Sequence, residues 1–367
     1  MRVCALIFFL IYIYQFFLLF DIIQAKGEDS MTIYPNKLKQ GDSIGIIAPS
    51  MSNEPEKIDR AVKNLKNLGY EVVEGKLIKN EIVKCVSGSI EDRVDEFIQM
   101  WKDKNVKYII GATGGEFLME ILPTVEKIFN DEKLYETPKW IQGYSDMTTL
   151  LFYLTTTYDI ATIQMTNAGK YAMEPLHESL LVPFVIAENL EDNIQENYPY
   201  WEKEKNKEDE TYQFNLTEDS KCKMLNGEKT EFSGRLIGGC LDVISQYTGS
   251  RWDNVENYIS KFQEGMIWHL ENCELTQAEM YRRLWFMREQ GWFKNTKGFI
   301  FGRTHMEEAY FDFEYVDAIE KALGDLNVPI IYDIDIGHTM PQWTIVNGSL
   351  GTITFDNGKC KLLQKFK

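Results

Sequence analysis

A chain of 367 residues, of which 44% are hydrophobic and 13% aromatic, is long enough for two packed domains or one large α/β domain, and it excludes wholesale disorder. Its formal net charge of −17, with no basic stripe along the chain, excludes nucleic acid as a partner, because binding phosphates requires clustered Lys and Arg. The cysteines and histidines lack the paired spacing of zinc ligands, so the sequence predicts no metal site.

Residues 1–26 differ from the rest of the chain. Between Arg2 and Asp21, the run "VCALIFFLIYIYQFFLLF" has 18 uncharged residues, a length between a signal-peptide core and a membrane span. Ala25 is a small residue suited to cleavage, although Ile23 is larger than is usual two positions earlier. We predict a signal peptide or membrane anchor, which would make the folded chain secreted or extracytoplasmic, with a possible membrane tether.

Residues 31–186 alternate between short apolar runs and stretches with apolar residues at helical spacing. The runs "SIGIIAPS", "YEVVEG", "VKYIIGATGG" and "KWIQGY" are predicted strands, each followed by an amphipathic helix. This alternation is typical of a parallel sheet with helices on both faces. Since the carboxyl ends of parallel strands meet at one edge, we expect the turns "APSM", "GATGGE" and "GYSD" to face one crevice.

The remainder of the chain divides into two parts. Residues 187–229 are polar and charged, which predicts a linker or an insertion between domains. Residues 230–367 contain strand-like runs such as "MIWHLE" and "GFIFGR", two helical stretches, and a closing hairpin with Asn357-Gly358 as its turn. The predicted fold is α/β, with an N-terminal parallel sheet and a smaller C-terminal β-rich α/β domain.

A single serine, Ser145, stands where the predicted strand "KWIQGY" meets the next helix. At such a junction serine commonly serves as a helix N-cap, which requires no further function. Alternatively, a sharp strand-to-helix turn exposes the hydroxyl as a nucleophile, and the backbone N–H groups of Asp146 and of the Gly114-Gly115 turn would bind an oxyanion. The pattern GxSxG is not matched, since Met147 replaces its second glycine, and both interpretations remain open.

A nucleophilic serine needs a base, and histidine is the usual one. His338 follows a glycine after the run "IIYDIDIG", a suitable place for aiming a side chain into a cleft. His269 is its rival; it shares a strand face with Glu271, but side chains so spaced diverge, which makes a direct bond between them doubtful. The remaining histidines, His177 and His305, lie in loop-like stretches without local support.

A histidine base in turn needs a carboxylate that fixes its tautomer. Glu271 ends the apolar strand "GMIWHLE", where a carboxylate faces the edge of the sheet. Glu274 is an alternative, although its charge also suits the N-terminus of the helix that follows.

Seven motifs occur in order along residues 38–363: "GDSIGIIAPS", "GATGGEFLMEILP", "IQGYSDMTTL", "GRLIGGCLDVI", "IWHLEN", "FGRT" and "DIDIGHTMPQWTIVNGSLGTI". Together they resemble the LD-carboxypeptidase family of serine peptidases, which includes the microcin C self-immunity peptidases. The resemblance implies a Ser-Glu-His triad of Ser145, Glu271 and His338. It also implies that the backbone N–H groups of Gly115 and Asp146 form the oxyanion hole.

The resemblance leaves the choice of substrate open. The stretches "EFLMEILP" and "QMTNAGKYAMEPLHESL" depart from the family pattern near the expected pocket. The first expectation is a serine carboxypeptidase or amidase that cleaves an L,D-peptide bond of peptidoglycan tetrapeptides. The alternatives are a hydrolase of microcin C-like aminoacyl or peptidyl nucleotides, and a catalytically inactive binder of cell-wall fragments. The resemblance further implies no metal or organic cofactor, a small peptide or peptidyl-nucleotide substrate, and a homodimer.

Overall fold

The computed structural model describes residues 31–205, 211–306 and 308–366. The predicted signal peptide or anchor, 1–26, lies outside the described residues. Within the described ranges, no helix combines the length and the apolar character that crossing a membrane requires.

The strands and helices are numbered separately in chain order. The strands are β1 (Ser43–Ile47), β2 (Glu71–Glu74), β3 (Val106–Gly111), β4 (Trp140–Gly143), β5 (Thr162–Gln164), β6 (Asn193–Glu196), β7 (Tyr200–Trp201), β8 (Glu218–Asp219), β9 (Lys223–Met224), β10 (Lys229–Cys240), β11 (Met266–Glu271), β12 (Thr296–Gly302), β13 (Ile330–Ile334), β14 (Ile345–Asn347), β15 (Leu350–Asp356) and β16 (Lys359–Lys365). The helices are α1 (Pro55–Asn67), α2 (Ile90–Lys102), α3 (Leu122–Asp131), α4 (Thr148–Tyr158), α5 (Val182–Asn189), α6 (Leu241–Ile244), α7 (Val255–Ser260), α8 (Gln277–Glu289) and α9 (Tyr315–Leu323).

The first sheet has the strand order β14-β5-β4-β3-β1-β2. All neighbours in it are parallel except β14, which runs antiparallel to β5. Helices α1 and α5 bury apolar residues on one face of this sheet, and α2, α3 and α4 do so on the other. The prediction of a parallel sheet with helices on both faces is confirmed, and its physical basis is the alternation of fully apolar strands with amphipathic helices.

The apolar stripe predicted as one helix behind β3 is divided in the structure. Residues Leu118–Ile121 form a 3₁₀ turn, and α3 begins only at Leu122. Pro123 occupies the first turn of α3, where its missing N–H costs no helical hydrogen bond. The proline therefore marks where the regular helix begins.

The second sheet has the strand order β6-β16-β15-β10-β11-β12-β13-β9. Its centre, β10 to β13, is parallel, and the strands on either side are antiparallel. The predicted hairpin is confirmed: β15 and β16 are joined by Asn357 and Gly358, with φ of +48° and +86°. With eight strands, this sheet has more strands than the first one, which has six.

The segment 187–229, predicted as a linker or insertion, contributes strands to both edges of the second sheet. Strand β6 pairs with β16 at one edge, and β9 pairs with β13 at the other. Strands β7 and β8 form a separate two-stranded ribbon. The C-terminal part of the chain also reaches the first sheet, because β14 pairs with β5. The two sheets are thereby held next to each other, with the carboxyl ends of β4 and β11 near their junction.

Candidate active site

Ser145 lies in a sharp turn between β4 and α4. Strand β4 ends at Gly143, and residues Ser145–Met147 form a 3₁₀ turn that leads into α4. The φ of Ser145 is +59°, in the left-handed region that residues with a side chain rarely adopt. A capping serine would have an extended backbone, and Tyr144, with φ of −151°, holds that position instead. Ser145 is therefore not the N-cap, and the structure decides against that interpretation.

The carboxylate of Asp146 joins three turns at the carboxyl ends of β1, β3 and β4. Its Oδ2 accepts hydrogen bonds from the Ser50 hydroxyl at 2.5 Å and from the Leu118 backbone N–H at 2.9 Å. Its Oδ1 accepts one from the Thr149 hydroxyl at 3.4 Å. Burial raises the pKa of Asp146 although these hydrogen bonds oppose the shift. The contacts confirm the expectation that the three turns meet in one crevice.

Gly114 and Gly115 lie directly against Ser145. A Cβ added at Gly114 would lie 2.7 Å from Ser145 Oγ and 3.6 Å from the backbone nitrogen of Asp146. At Gly115, whose φ is +143°, an added Cβ would overlap with the Ser50 side chain. Only residues without a side chain allow the backbone to approach the serine this closely.

Tyr144 links the serine turn to His338. The ring centroids of Tyr144 and His338 are 4.8 Å apart. Asn167 fixes the backbone of Tyr144: its Oδ1 accepts from the N–H at 3.3 Å, and its Nδ2 donates to the carbonyl at 3.4 Å. Among the described residues, the hydrogen bond of the His338 ring goes to Glu271 and not to Ser145. The imidazole therefore packs on the residue that precedes the serine.

Glu271 and His338 form a buried pair. The Nδ1 atom of His338 lies 2.8 Å from Oε2 of Glu271, and the side chains are 14% and 2% exposed. Burial alone would lower the pKa of His338, but the charge of Glu271 and the hydrogen bonds to Cys273 and Glu271 together raise that pKa well above its usual range. Burial would likewise raise the pKa of Glu271, yet its pKa is lowered because His338 is so close. The pair can therefore hold an imidazolium beside a carboxylate.

Gly337 allows His338 to lie this close to Glu271. Its φ is +89°, and a Cβ added there would lie 2.5 Å from Cβ of Glu271. The preceding residues of the same loop are fixed by Asp335, which is fully buried and accepts a hydrogen bond from Arg303. The Ser220 hydroxyl and the Tyr198 backbone N–H also donate to Asp335, at 3.1 and 2.8 Å. The loop that carries His338 thus has a fixed shape.

The other candidate residues lie apart from this site. His269 is buried and shares a 2.7 Å hydrogen bond with Asn347, and burial lowers its pKa to about 4. Glu274 is exposed, and its backbone N–H donates to Asp242. The two loop histidines do not hydrogen-bond to Glu271 in the described part of the chain: His177 is half-buried and bonds to Ser179, and His305 is exposed.

Two thiols border the Glu271–His338 pair. Cys240, at the end of β10, lies opposite Glu271 in the register of β10 and β11. Its thiol, the carboxylate of Glu271 and the imidazole of His338 present ligand atoms that lie within 4.8 Å of one another. Cys273 is partly exposed, and its thiol interacts with the His338 ring. The spacing of cysteines along the sequence gave no sign of this assembly.

A cavity of about 300 Å³ opens beside Tyr144. Lys170 lines it and makes no ion pair with a described residue; its Nζ lies 5.6 Å from the ring centroid of Phe214. Burial lowers the pKa of Lys170 to about 8. Glu202 lines the same cavity. This volume is in the range of small-molecule sites, and its cationic group suits an anionic substituent.

Several residues that shape the site were missed by reasoning from the sequence. Arg303 and Asp335 lie in the motifs "FGRT" and "DIDIGH", which the resemblance already singled out, but without a role for either side chain. Ser50 and Asn167 carry no distinct local signal, because single Ser and Asn residues in turns are common.

The fold and this site together define a mixed α/β protein with a buried Glu–His pair near a serine in a strand-to-helix turn. Residues 44–165 match the family model of the LD-carboxypeptidase N-terminal domain, and residues 233–353 match that of the C-terminal domain. The chain therefore belongs to the LD-carboxypeptidase family and is a serine peptidase.

Similar proteins and structures agree with this membership. The chain is 29% identical to a putative carboxypeptidase of Vibrio cholerae over 90% of this chain and 97% of that protein. It is 25% identical to the microcin C7 self-immunity protein MccF of Escherichia coli over 90% of this chain and 95% of that protein. The crystal structure of an MccF-like protein from Bacillus anthracis superposes with a TM-score of 0.77 at 25% identity, covering 91% of this chain and all of that one.

Proposed function

We propose that the protein is a serine carboxypeptidase that cleaves the L,D-peptide bond of peptidoglycan tetrapeptides with Ser145, Glu271 and His338 as its triad. The observation that carries the proposal is the buried 2.8 Å pair of His338 and Glu271 beside a serine with a φ of +59°. A strained turn that holds a serine between a strand and a helix also presents the nucleophile in the α/β hydrolases, a different fold.

The proposed reaction begins with attack of Ser145 Oγ on the amide carbonyl, while the Nε2 atom of His338 takes the hydroxyl proton. Glu271 accepts the hydrogen bond from Nδ1 and stabilises the imidazolium that forms. The imidazolium then protonates the leaving amine, the C–N bond breaks, and a water molecule hydrolyses the acyl-enzyme by the same route. Catalytic hydrogen bonds are often long without substrate, so a bond between Ser145 and His338 is expected in the substrate complex.

The developing oxyanion needs donors close to Ser145. Asp146 lies in the first turn of its helix, where N–H groups have no partner within the helix. The backbone of Gly114 and Gly115 passes close to Ser145, because neither residue has a side chain. These features support the N–H groups of Asp146 and Gly115 as the oxyanion hole.

The cavity beside Tyr144 supports a small substrate with an anionic group. In a tetrapeptide, the free C-terminal carboxylate would supply that group, and Lys170 would bind it. A second candidate is an aminoacyl or peptidyl nucleotide of the microcin C kind, in which a phosphoryl group would bind Lys170 and the Tyr212 and Phe214 rings would pack on the base. MccF has been crystallised with aspartyl sulfamoyl adenosine, which supports this alternative.

Hydrolysis assays on the purified folded chain would test the proposal. The protein is incubated with a muramyl tetrapeptide and, separately, with an aminoacyl sulfamoyl adenosine, and the products are identified by mass. Release of D-alanine from the tetrapeptide by wild type and not by Ser145→Ala is the expected result. Cleavage of the nucleotide alone would favour the second candidate. Binding of tetrapeptide without cleavage of either compound would favour an inactive wall-fragment binder.

The apolar run in residues 3–20 supports an extracytoplasmic location for this activity, by secretion or by a membrane tether. Membrane fractionation of the full chain, compared with a variant that begins at Gly27, would distinguish these routes. A homodimer is the expected assembly, and sedimentation would measure it.

A further inference from the structure

Three side chains of different chemistry meet at the carboxyl end of the second sheet. Cys240 and Glu271 end adjacent parallel strands in direct register, and the loop after β13 brings His338 to them. One ligand atom from each of the three residues lies within 4.8 Å of the others. A thiol, a carboxylate and an imidazole converging in this way are a donor set that divalent metal ions bind.

A second observation points to a ligand at the same place. Glu271 is 2% exposed, and its buried Oε1 atom accepts no hydrogen bond of normal geometry among the described residues, since the further donor beside this carboxylate is the weakly donating Cys240 thiol. A buried carboxylate oxygen that lacks a partner is destabilising, since no donor replaces the water that it loses on folding. Its Oε2 atom is the one that pairs with His338. One carboxylate oxygen therefore remains available for a further bond.

The donor set favours a particular class of ion. Thiolate and imidazole ligands select zinc and related thiophilic ions over magnesium and calcium, which prefer oxygen. The structure offers three protein ligands, the number found in zinc sites that keep a fourth position open. Cys240 is 1% exposed, so the ion would enter past His338, whose side chain is 14% exposed.

We propose that Cys240, Glu271 and His338 form an inhibitory site for a thiophilic divalent cation, for which Zn²⁺ is the probe. On binding, the Cys240 thiol loses its proton to solvent and its sulfur donates an electron pair, as do a carboxylate oxygen of Glu271 and a ring nitrogen of His338. Coordination through Nδ1 breaks the bond to Glu271, and coordination through Nε2 occupies the lone pair that takes the Ser145 proton. Either geometry stops the reaction, and this inhibitory role rests on the proposed function.

Direct binding is tested first with Co²⁺, because a thiolate bound to cobalt gives a charge-transfer absorption in the near ultraviolet. The band should appear on titration of the wild type and of Ser145→Ala, which keeps all three ligands. Changing a residue that merely hydrogen-bonds to a metal ligand typically lowers metal affinity by about 10- to 100-fold. Cys240→Ser removes a ligand itself, so it should lower the affinity for cobalt by more than that. Cys85→Ser, at an exposed thiol, and Cys360→Ser, at a thiol as buried as Cys240, are the controls, since neither residue belongs to the cluster, and both should keep the band.

Inhibition is tested next on tetrapeptide hydrolysis. Zn²⁺ should inhibit the wild type, a chelator should restore activity, and Cys240→Ser should need at least about 100-fold more Zn²⁺ for the same fractional inhibition. If Cys240→Ser does not fold, Cys240→Ala and His338→Gln serve for the cobalt titration, and each should lose the band. A band that persists without Cys240, or that is lost in Cys85→Ser or Cys360→Ser, overturns the site. Absence of all hydrolysis refutes the proposed function, while the cobalt titration still decides whether the site exists.

Discussion

His338 and Glu271, 67 residues apart in the sequence, are joined by a 2.8 Å hydrogen bond between Nδ1 and Oε2. Strand β11 places the carboxylate at the edge of the second sheet, and a loop held by Asp335 brings the imidazole to it. The ring then lies on Tyr144, the residue before Ser145. One element of the first sheet and two elements of the second thus contribute to the proposed triad.

Replacing the proposed nucleophile should abolish turnover without loss of the fold. Ser145→Ala is expected to lower kcat by about 10³-fold or more, as is typical for removal of a triad member. The substitution should leave the free energy of unfolding almost unchanged, because alanine adopts the left-handed region no better than serine does. Steady-state hydrolysis of the tetrapeptide measures the effect, and Ser233→Ala, at an exposed strand position, is the control. Equal rates in wild type and Ser145→Ala would remove the serine mechanism.

Glu271→Gln should change both the rate and its dependence on pH. The charge of Glu271 and its hydrogen bond, together with the hydrogen bond to Cys273, offset the effect of burial and raise the pKa of His338 well above its usual value of 6.5. Because the base must be unprotonated, kcat/KM of chelator-treated wild type should rise with pH, with a midpoint above 6.5. Without the carboxylate charge, burial dominates, so the midpoint should move to lower pH while kcat falls by about 10³- to 10⁴-fold.

The matched control for this variant is Glu274→Gln, which removes an exposed carboxylate of the following turn. It should leave the midpoint of the pH profile in place. A shift produced by Glu274→Gln and not by Glu271→Gln would assign the carboxylate role to Glu274 instead.

Gly337→Ala should separate the Glu271–His338 pair. The added methyl group would meet Cβ of Glu271 at 2.5 Å, in a backbone with φ of +89°. We expect a loss of unfolding free energy of about 2–4 kcal/mol, from strain and overpacking together, and a large loss of activity. Gly41→Ala has nearly the same φ, +86°, and open space around it, so it should lose stability from strain alone and keep its activity. Denaturant unfolding should show a larger loss of stability for Gly337→Ala than for Gly41→Ala, and hydrolysis assays should show a loss of activity for Gly337→Ala alone.

Lys170→Met should weaken binding of substrates with an anionic group. Loss of a charge-assisted hydrogen bond worth about 1.5–3 kcal/mol corresponds to a rise in KM of about 10- to 150-fold, with little change in kcat. Since burial lowers the pKa of Lys170 to about 8, the wild-type KM should rise above that pH as the cation is lost. Lys57 lines the same cavity but pairs with Glu54 at 3.0 Å, so Lys57→Met should raise KM less. A KM independent of pH from 6 to 10 would exclude Lys170 as the anion-binding group.

The sequence by itself determined the elements and their order. Apolar strands such as Ser43–Ile47, amphipathic helices such as Pro55–Asn67, and the Asn357-Gly358 turn follow from local periodicity and turn chemistry, and all are confirmed. The order of strand and helix was enough to predict a parallel sheet and a crevice at its carboxyl edge.

Only the tertiary structure decided that Ser145 is not a helix cap and that His338 is the histidine beside Glu271. It also placed Cys240 next to the Glu271–His338 pair. A cap and a nucleophile share one local sequence pattern and differ in φ, which the surrounding turns impose. Contacts between residues far apart in the chain depend on strand register and loop shape. The spacing of residues along the sequence does not reveal either of these. The neighbours of a buried carboxylate are therefore determined by packing, after the elements themselves have been specified.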